Sequence, residues 1–348
     1  MRIETQWLVS ALVVAGLADG SAVADATPPP PAIHIMARYP IGGNEGGYDY
    51  LDIDSLARRL YVTHATQIEV LDLDTGKLVG HVGGMHGVHG VELVPPVGKG
   101  YSSDGLDRAI TVFDPVTLAV KTRIGPTGVK PDAIRYDADT KRLFVVNGGS
   151  SGDISVIEPA TDTIVDTIKL GGGKLEQIGF DGRGHAFVND EAQSVIHVFE
   201  TRTLKPLTRW PLAPCTEPTG MAVDSAHHRV FAACANQKLA ILDTDDGHIV
   251  AMVTIGNDPD GAAFDVRAQL IFTSNNDGTL SVTQELTPDH YRALAAVNTG
   301  PGARTIALDE KTGRLFLPTA RSGDKPNSGG KAPIIPESFA VLVVGPIN

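Results

Sequence analysis

The chain has no run of lysine and arginine. Its basic residues occur singly or in isolated pairs beside turns, as in Arg58-Arg59 and Lys141-Arg142. The formal charge is −12, so a phosphate backbone is repelled and no basic stripe offsets that field. A nucleic-acid role is therefore disfavoured. Past the N-terminus no segment is apolar for long enough to cross a bilayer. Only two cysteines are present, with no C-x-x-C-H to attach a c-type haem. Catalytic signatures are missing as well. There is no G-x-S-x-G elbow, and Gly173-Lys174 is followed by Leu175 where a Walker loop needs Ser or Thr. No G-x-G-x-x-G leads from a strand into a helix.

What is present begins with an export pattern. Arg2 precedes an apolar stretch from Leu8 to Leu17, and Ala22-Val23-Ala24 is an A-x-A cleavage site. Residues 1–24 are expected to be a signal peptide, with a frayed N-terminal helix as the rival reading. Residues 25–31 end in four prolines and read as a stiff spacer. The mature chain, 32–348, is then expected outside the cytoplasm, in the periplasm or secreted. In such a compartment Cys215 and Cys234 are expected to form a disulfide, the alternative being two buried thiols.

The body of the chain is periodic. Tyr61, Tyr101, Phe144, Phe187, Phe231, Phe272 and Phe316 each open a short apolar strand, at intervals of 40 to 44 residues. Seven units of that length mean a repeat architecture. Within residues 131–170 four runs rich in β-branched residues alternate with turn formers such as Asp137-Ala138-Asp139-Thr140. No room is left for a crossover helix. The third strand recurs as IEVLDLDTG, ITVFDPVT, ISVIEPAT, IHVFETRT and LAILDTDDG, each ending on an acidic residue that caps a turn. These features predict an all-β fold, a seven-bladed propeller of four-stranded antiparallel blades. The seventh repeat has strands near 305–308, 314–318 and 339–344 but no fourth. The segment Ile33 to Ile41 is expected to supply it, which closes the ring and removes open edges.

Tyr61-Val62-Thr63 and the variant Phe144-Val145-Val146-Asn147 resemble the YVTN-type repeats of YncE-like seven-bladed propellers, with His64 in place of the usual Asn. The resemblance covers essentially the whole mature chain. It implies the propeller fold and export. Related propellers include ligand-binding proteins, a DNA-binding member and parts of redox enzymes, so it implies no single activity.

Chemistry in a propeller collects at one mouth of the channel. Aligned repeats place Asp49, His89, Asp132, Glu176, Thr219, Asp260 and Arg304 at the start of the innermost strands. A second ring, three residues past each anchor, holds His64, Asp104, Asn147, Asp190, Cys234, Asn275 and Thr319. A water-filled mouth explains such polarity without function. A sharper reading has Asp49, His64 and His89 converge as ligands for zinc or a similar divalent metal, with His86 and Glu45 nearby; ordinary hydrogen-bonded histidines are its rival. The acidic Asp132, Glu176 and Asp260 suit a cationic ligand. Arg304 suits a substrate carboxylate, or pairs with Asp260 or Asp49. The Gly- and Pro-rich stretch 320–337 is long for a strand connection and reads as a lid over the mouth or a disordered loop.

Three functions remain open. The first is a binding protein for a small ligand or an exported partner. The second is a metal-assisted lyase or hydrolase in which His64, His89 and Arg304 are catalytic. The third is a subunit of an exported redox complex.

Overall fold

In a computed structural model, described for Met1 and residues 32–43, 46–171, 173–324 and 333–346, every blade is built around an aromatic anchor driven out of water. All seven anchors are at most 2% exposed. Each sits in the second strand of its blade and packs between adjacent sheets. Tyr61 meets Phe113 of the next sheet at 6.0 Å between ring centroids, and Phe187 stacks on Trp210 of its own sheet at 5.5 Å. The two tyrosine anchors also bond to the next blade. The Tyr61 hydroxyl donates to the Pro115 carbonyl at 2.9 Å and that of Tyr101 to Asp162 at 2.9 Å.

Residues 31–348 form one compact unit made of seven antiparallel sheets. Blades 1 to 6 run in chain order from the innermost strand outward. Blade 6 is wider than the repeat predicts. Its outer edge splits between His290–Ala293 and the short Val297–Asn298, both paired with Thr279–Thr287.

The closing blade is the one the missing fourth strand implied. Ala307–Asp309, Arg314–Thr319 and Ala340–Pro346 come from the C-terminal end, and Ile33–Pro40 completes the sheet at its edge. Its register runs from Ile33 opposite Pro346 to Pro40 opposite Ala340. The innermost strand is short, starting at Ala307 rather than near 305. A half-buried ion pair then links blade 7 to blade 1: Arg58 donates to Asp309 at 2.8 Å, and the Ser55 hydroxyl donates to the same carboxylate at 2.7 Å.

The acidic residue after each third strand does cap a turn. Asp72 accepts from the Thr75 amide, Asp114 from Thr117, and Asp243 from Asp245. Cys215 and Cys234 are bonded, fastening the loop that enters blade 5 to the end of its second strand, Arg229–Cys234. The expected signal peptide, apart from Met1, and the whole proline spacer 25–31 lie outside the described residues.

Candidate functional site: the ionised ring at one mouth

In six blades the ring residue is the second of the innermost strand: Asp49 in Tyr48–Asp54, His89 in Val88–Val94, Asp132 in Pro131–Asp137, Glu176 in Leu175–Phe180, Thr219 in Pro218–Asp224 and Asp260 in Pro259–Asp265. A register shift falls at that place in all six strands. Such a bulge leaves a residue out of the ladder and re-aims its side chain. Arg304 precedes the shortened strand of blade 7.

The ring is wired as a chain of opposite charges. Asp49 and His89 share a hydrogen bond of 2.7 Å through the ring Nδ1, and Asp132 lies 3.8 Å from the same nitrogen. Arg304 pairs with Asp260 and reaches to 3.8 Å from Asp49. Lys130 contacts Asp132 at 2.8 Å and Lys174 contacts Glu176 at 2.9 Å. The ligand atoms of Asp49, His89 and Asp132 all lie within 4.8 Å of one another.

Burial and these partners divide the carboxylates. Burial pushes Asp49 up, but the His89 hydrogen bond and the charges of Arg304, His89 and Lys130 outweigh it, so Asp49 sits below its usual range. Glu176 goes the other way. Burial, then repulsion from Asp132 and Asp260, raises it well above normal despite Lys174. Asp260 is raised to about 6 by burial and by Asp49 and Asp132, with Arg304 opposing. Burial lowers His89, but its bond to Asp49 and the charges of Asp132 and Asp49 raise it overall.

Beside this chain opens a cavity of about 710 Å³, lined by Tyr48, Lys174, Thr219, Asp260, Arg304 and Ile334 among others. Both stems of the 320–337 stretch stand there. Ser322 bridges to Ile334, and the amides of Gly323 and Ile335 bond to Pro333 and Arg321 at 2.8 Å. The middle of that stretch, 325–332, lies outside the described residues.

No family model matches the chain. The uncharacterized protein YncE of Salmonella typhi and that of Salmonella typhimurium are each 23% identical to it over 214 residues, 61% of this chain and 48% of theirs. The chain thus spans about half the length of these curated relatives. Among solved structures, a chain of Kuenenia stuttgartiensis hydrazine synthase superposes with a TM-score of 0.70 at 13% identity, covering 80% of this chain and 94% of that one. The second likeness is one of fold alone. The chain is a seven-bladed β-propeller that is similar to YncE.

The second ring of this YncE-like propeller is spent inside its own blades. Asp104 accepts from Thr111 at 2.6 Å and Ser102 at 2.8 Å. Asn147 donates to Asp153 and Ser155, Asp190 meets the His197 ring at 3.0 Å, and Asn275 donates to Thr279 and Ser281. Each is fully buried and clasps the end of the second strand to the third. His64 behaves alike. Its Nδ1 lies 3.1 Å from Glu69 on the adjacent strand, and the ring packs on Phe339 at 4.3 Å. The expected trio of Asp49, His64 and His89 is therefore not the one that the geometry assembles; Asp132 takes the place of His64. His86 pairs with Asp107 at 2.9 Å on the exposed surface, away from the ring chain, and Glu45 lies outside the described residues.

Lys130 and Lys174 were not singled out from the sequence. The signal was there: each stands two residues before a ring carboxylate, in Lys130-Pro131-Asp132 and Lys174-Leu175-Glu176.

Proposed function

We propose that this is an exported binding protein that holds a small polar molecule, bearing groups of both charge signs, at the ionised mouth. The observation that carries the reading is the chain Asp132–His89–Asp49–Arg304–Asp260 beside a cavity of about 710 Å³. Such a volume suits a small ligand. Arg304 and Lys174 offer hydrogen-bond donors to an acidic group. Asp49, Asp132 and Asp260 accept from a basic one. Glu176, whose carboxyl is held well above the usual carboxylate range by burial and by repulsion from Asp132 and Asp260, stands against Lys174 at the same mouth. The disulfide and the A-x-A pattern at Ala24 support an oxidising location. The clasping residues Asp104, Asn147, Asp190 and Asn275 hold the blade ends that carry the ring.

A second reading is favoured by one specific arrangement, the trio of Asp49, His89 and Asp132. Two carboxylates and an imidazole fit a divalent first-row ion. Lys130 already neutralises Asp132 and Arg304 approaches Asp49, so both cations must draw back to admit it. When bound, such a metal supplies a Lewis acid for a lyase or hydrolase. Asp49, His89 and Asp132 would hold the ion, and Arg304 would orient an acidic substrate.

A thermal-shift screen of charged metabolites against the mature protein, with and without added zinc, tests both. The binding reading expects a stabilising ligand whose effect is lost in Arg304→Ala and Asp260→Asn. If every shift survives in both variants, the mouth is not the site. Turnover of a ligand that requires zinc and disappears in His89→Ala establishes the second reading instead.

A further inference from the structure

At the far end of the innermost strand of blade 5, opposite the ring, three further side chains meet across the seam to blade 6. Asp224 ends that strand, and His227 lies in the turn after it. Glu285 stands near the end of the third strand of blade 6, Thr279–Thr287. The His227 Nδ1 is 2.7 Å from Asp224 Oδ2 and 3.0 Å from Glu285 Oε1. All three ligand atoms fall within 4.8 Å of one another.

Two facts make this unlike an ordinary turn. The first is position. Glu285 aligns with Leu73, Pro115, Pro159, Thr201 and Thr244 in blades 1 to 5, immediately after the turn-capping position. The backbone confirms the alignment. The amides of Leu73, Thr201, Thr244 and Glu285 all bond to the carbonyl in the turn before their own second strand, at 2.8 to 3.0 Å. Five blades fill this place with an apolar or hydroxyl residue. Only blade 6 among these buries a carboxylate there, with its side chain 1% exposed. His227 likewise aligns with Ala57, Thr140, Ala268 and Thr312.

The second fact is satisfaction. Both oxygens of Glu285, Oδ2 of Asp224 and Nδ1 of His227 are buried without a hydrogen-bond partner. The contacts are short, but their angles are not those of hydrogen bonds. Buried acceptors in this state are costly and rare in native proteins. Among the described residues no Lys or Arg pairs with either carboxylate. The ring carboxylates Asp132, Glu176 and Asp260, by contrast, have Lys130, Lys174 and Arg304.

We propose that Asp224, His227 and Glu285 form a divalent-metal site that ties blade 5 to blade 6. Two carboxylate oxygens and one imidazole nitrogen select zinc or another first-row ion over calcium, which takes six or more oxygens. With bonds near 2.0 to 2.2 Å, tetrahedral ligands stand about 3.3 Å apart. The observed 2.7 and 3.0 Å therefore open by about 0.3 to 0.6 Å when an ion enters. His227, 37% exposed, leaves the fourth position open to water from outside.

The test is zinc stoichiometry by equilibrium dialysis and elemental analysis, on tag-free protein first stripped with chelator. Glu285→Thr installs the residue that blades 4 and 5 carry, and His227→Ala the one in blades 1 and 6, so both are expected to fold. Each variant should bind one zinc fewer per chain than wild type and lose the zinc-dependent rise in melting temperature. His89→Ala should keep this ion, which separates it from any metal at the mouth. Wild-type protein that binds no zinc overturns the site, as does either variant that retains the wild-type count.

Discussion

At the scale of single residues, the anchors show how one hydroxyl is worth much less than one ring. Tyr61 is fully buried, and its hydroxyl donates to the Pro115 carbonyl of the next blade. Tyr61→Phe keeps the ring and removes a single hydrogen bond, at a cost of about 0.5–1.5 kcal/mol. Tyr61→Ala opens a cavity against Phe113 and should cost about 3–5 kcal/mol. Urea denaturation of the two variants measures the ratio. Equal losses would mean that the hydroxyl, rather than packing, fixes the anchor. Residue identity was also where the sequence spoke least clearly about the site. Asp49, His89 and Arg304 were found by counting along the repeat, because a strand start is a fixed address. His64 and Asp104 occupy an equally regular address, yet their partners Glu69 and Thr111 lie on the next strand. Polarity alone does not distinguish a side chain facing a channel from one clasping its neighbour.

At the scale of elements, the strand Ile33–Pro40 decides whether the ring closes. It pairs along its length with Ala340–Pro346, through seven aligned residue pairs. Without it that C-terminal strand becomes an open edge, with Val341, Val343 and Val344 beside it, all buried in the closed blade. Exposed edges of this kind template pairing with other chains. A chain starting at Ile41 should melt well below the full mature protein and run as oligomers in size-exclusion chromatography. A monomer of unchanged stability would show that closure does not depend on this strand. This element was legible from a deficit, since the last repeat had three strands and the first segment had no partner. The extra strand Val297–Asn298 was not legible. Two residues carry no periodicity, and it exists only because the outer edge of blade 6 offers free backbone groups. The bulge beside each ring residue was equally silent, because a register shift leaves no mark on apolar alternation.

At the scale of the whole molecule, the channel and seams collect carboxylates that resist ionisation, and this sets the pH at which the fold is most stable. Burial and repulsion from Glu92 raise Asp52 to about 7, and burial raises Glu92, both against the pull of Arg135. Burial raises Asp104 to about 6 in spite of its two hydroxyl donors. Asp260 and Glu176 are raised as described. A carboxyl whose folded pKa exceeds its unfolded value, about 4, binds more protons in the folded chain between those two values. Stability therefore falls as pH rises through that window. His89, also raised, acts in the same direction: its contribution is complete below about 6.5 and is lost as pH climbs through its folded value. The depressed groups act elsewhere. Asp49, Glu69 and Asp309 contribute above about pH 4 and lose that contribution as pH drops through their lowered values. The two sets meet between about pH 4 and 5, so that is where the melting temperature should peak. Calorimetry should find the protein more stable at pH 5 than at pH 7.5, by about 2 °C or more. Asp52→Asn should flatten part of that slope, because it removes a group that is uncharged at the peak and costly when ionised. A melting temperature that climbs steadily from pH 5 to 7.5 would mean that the channel solvates these acids far better than their burial indicates.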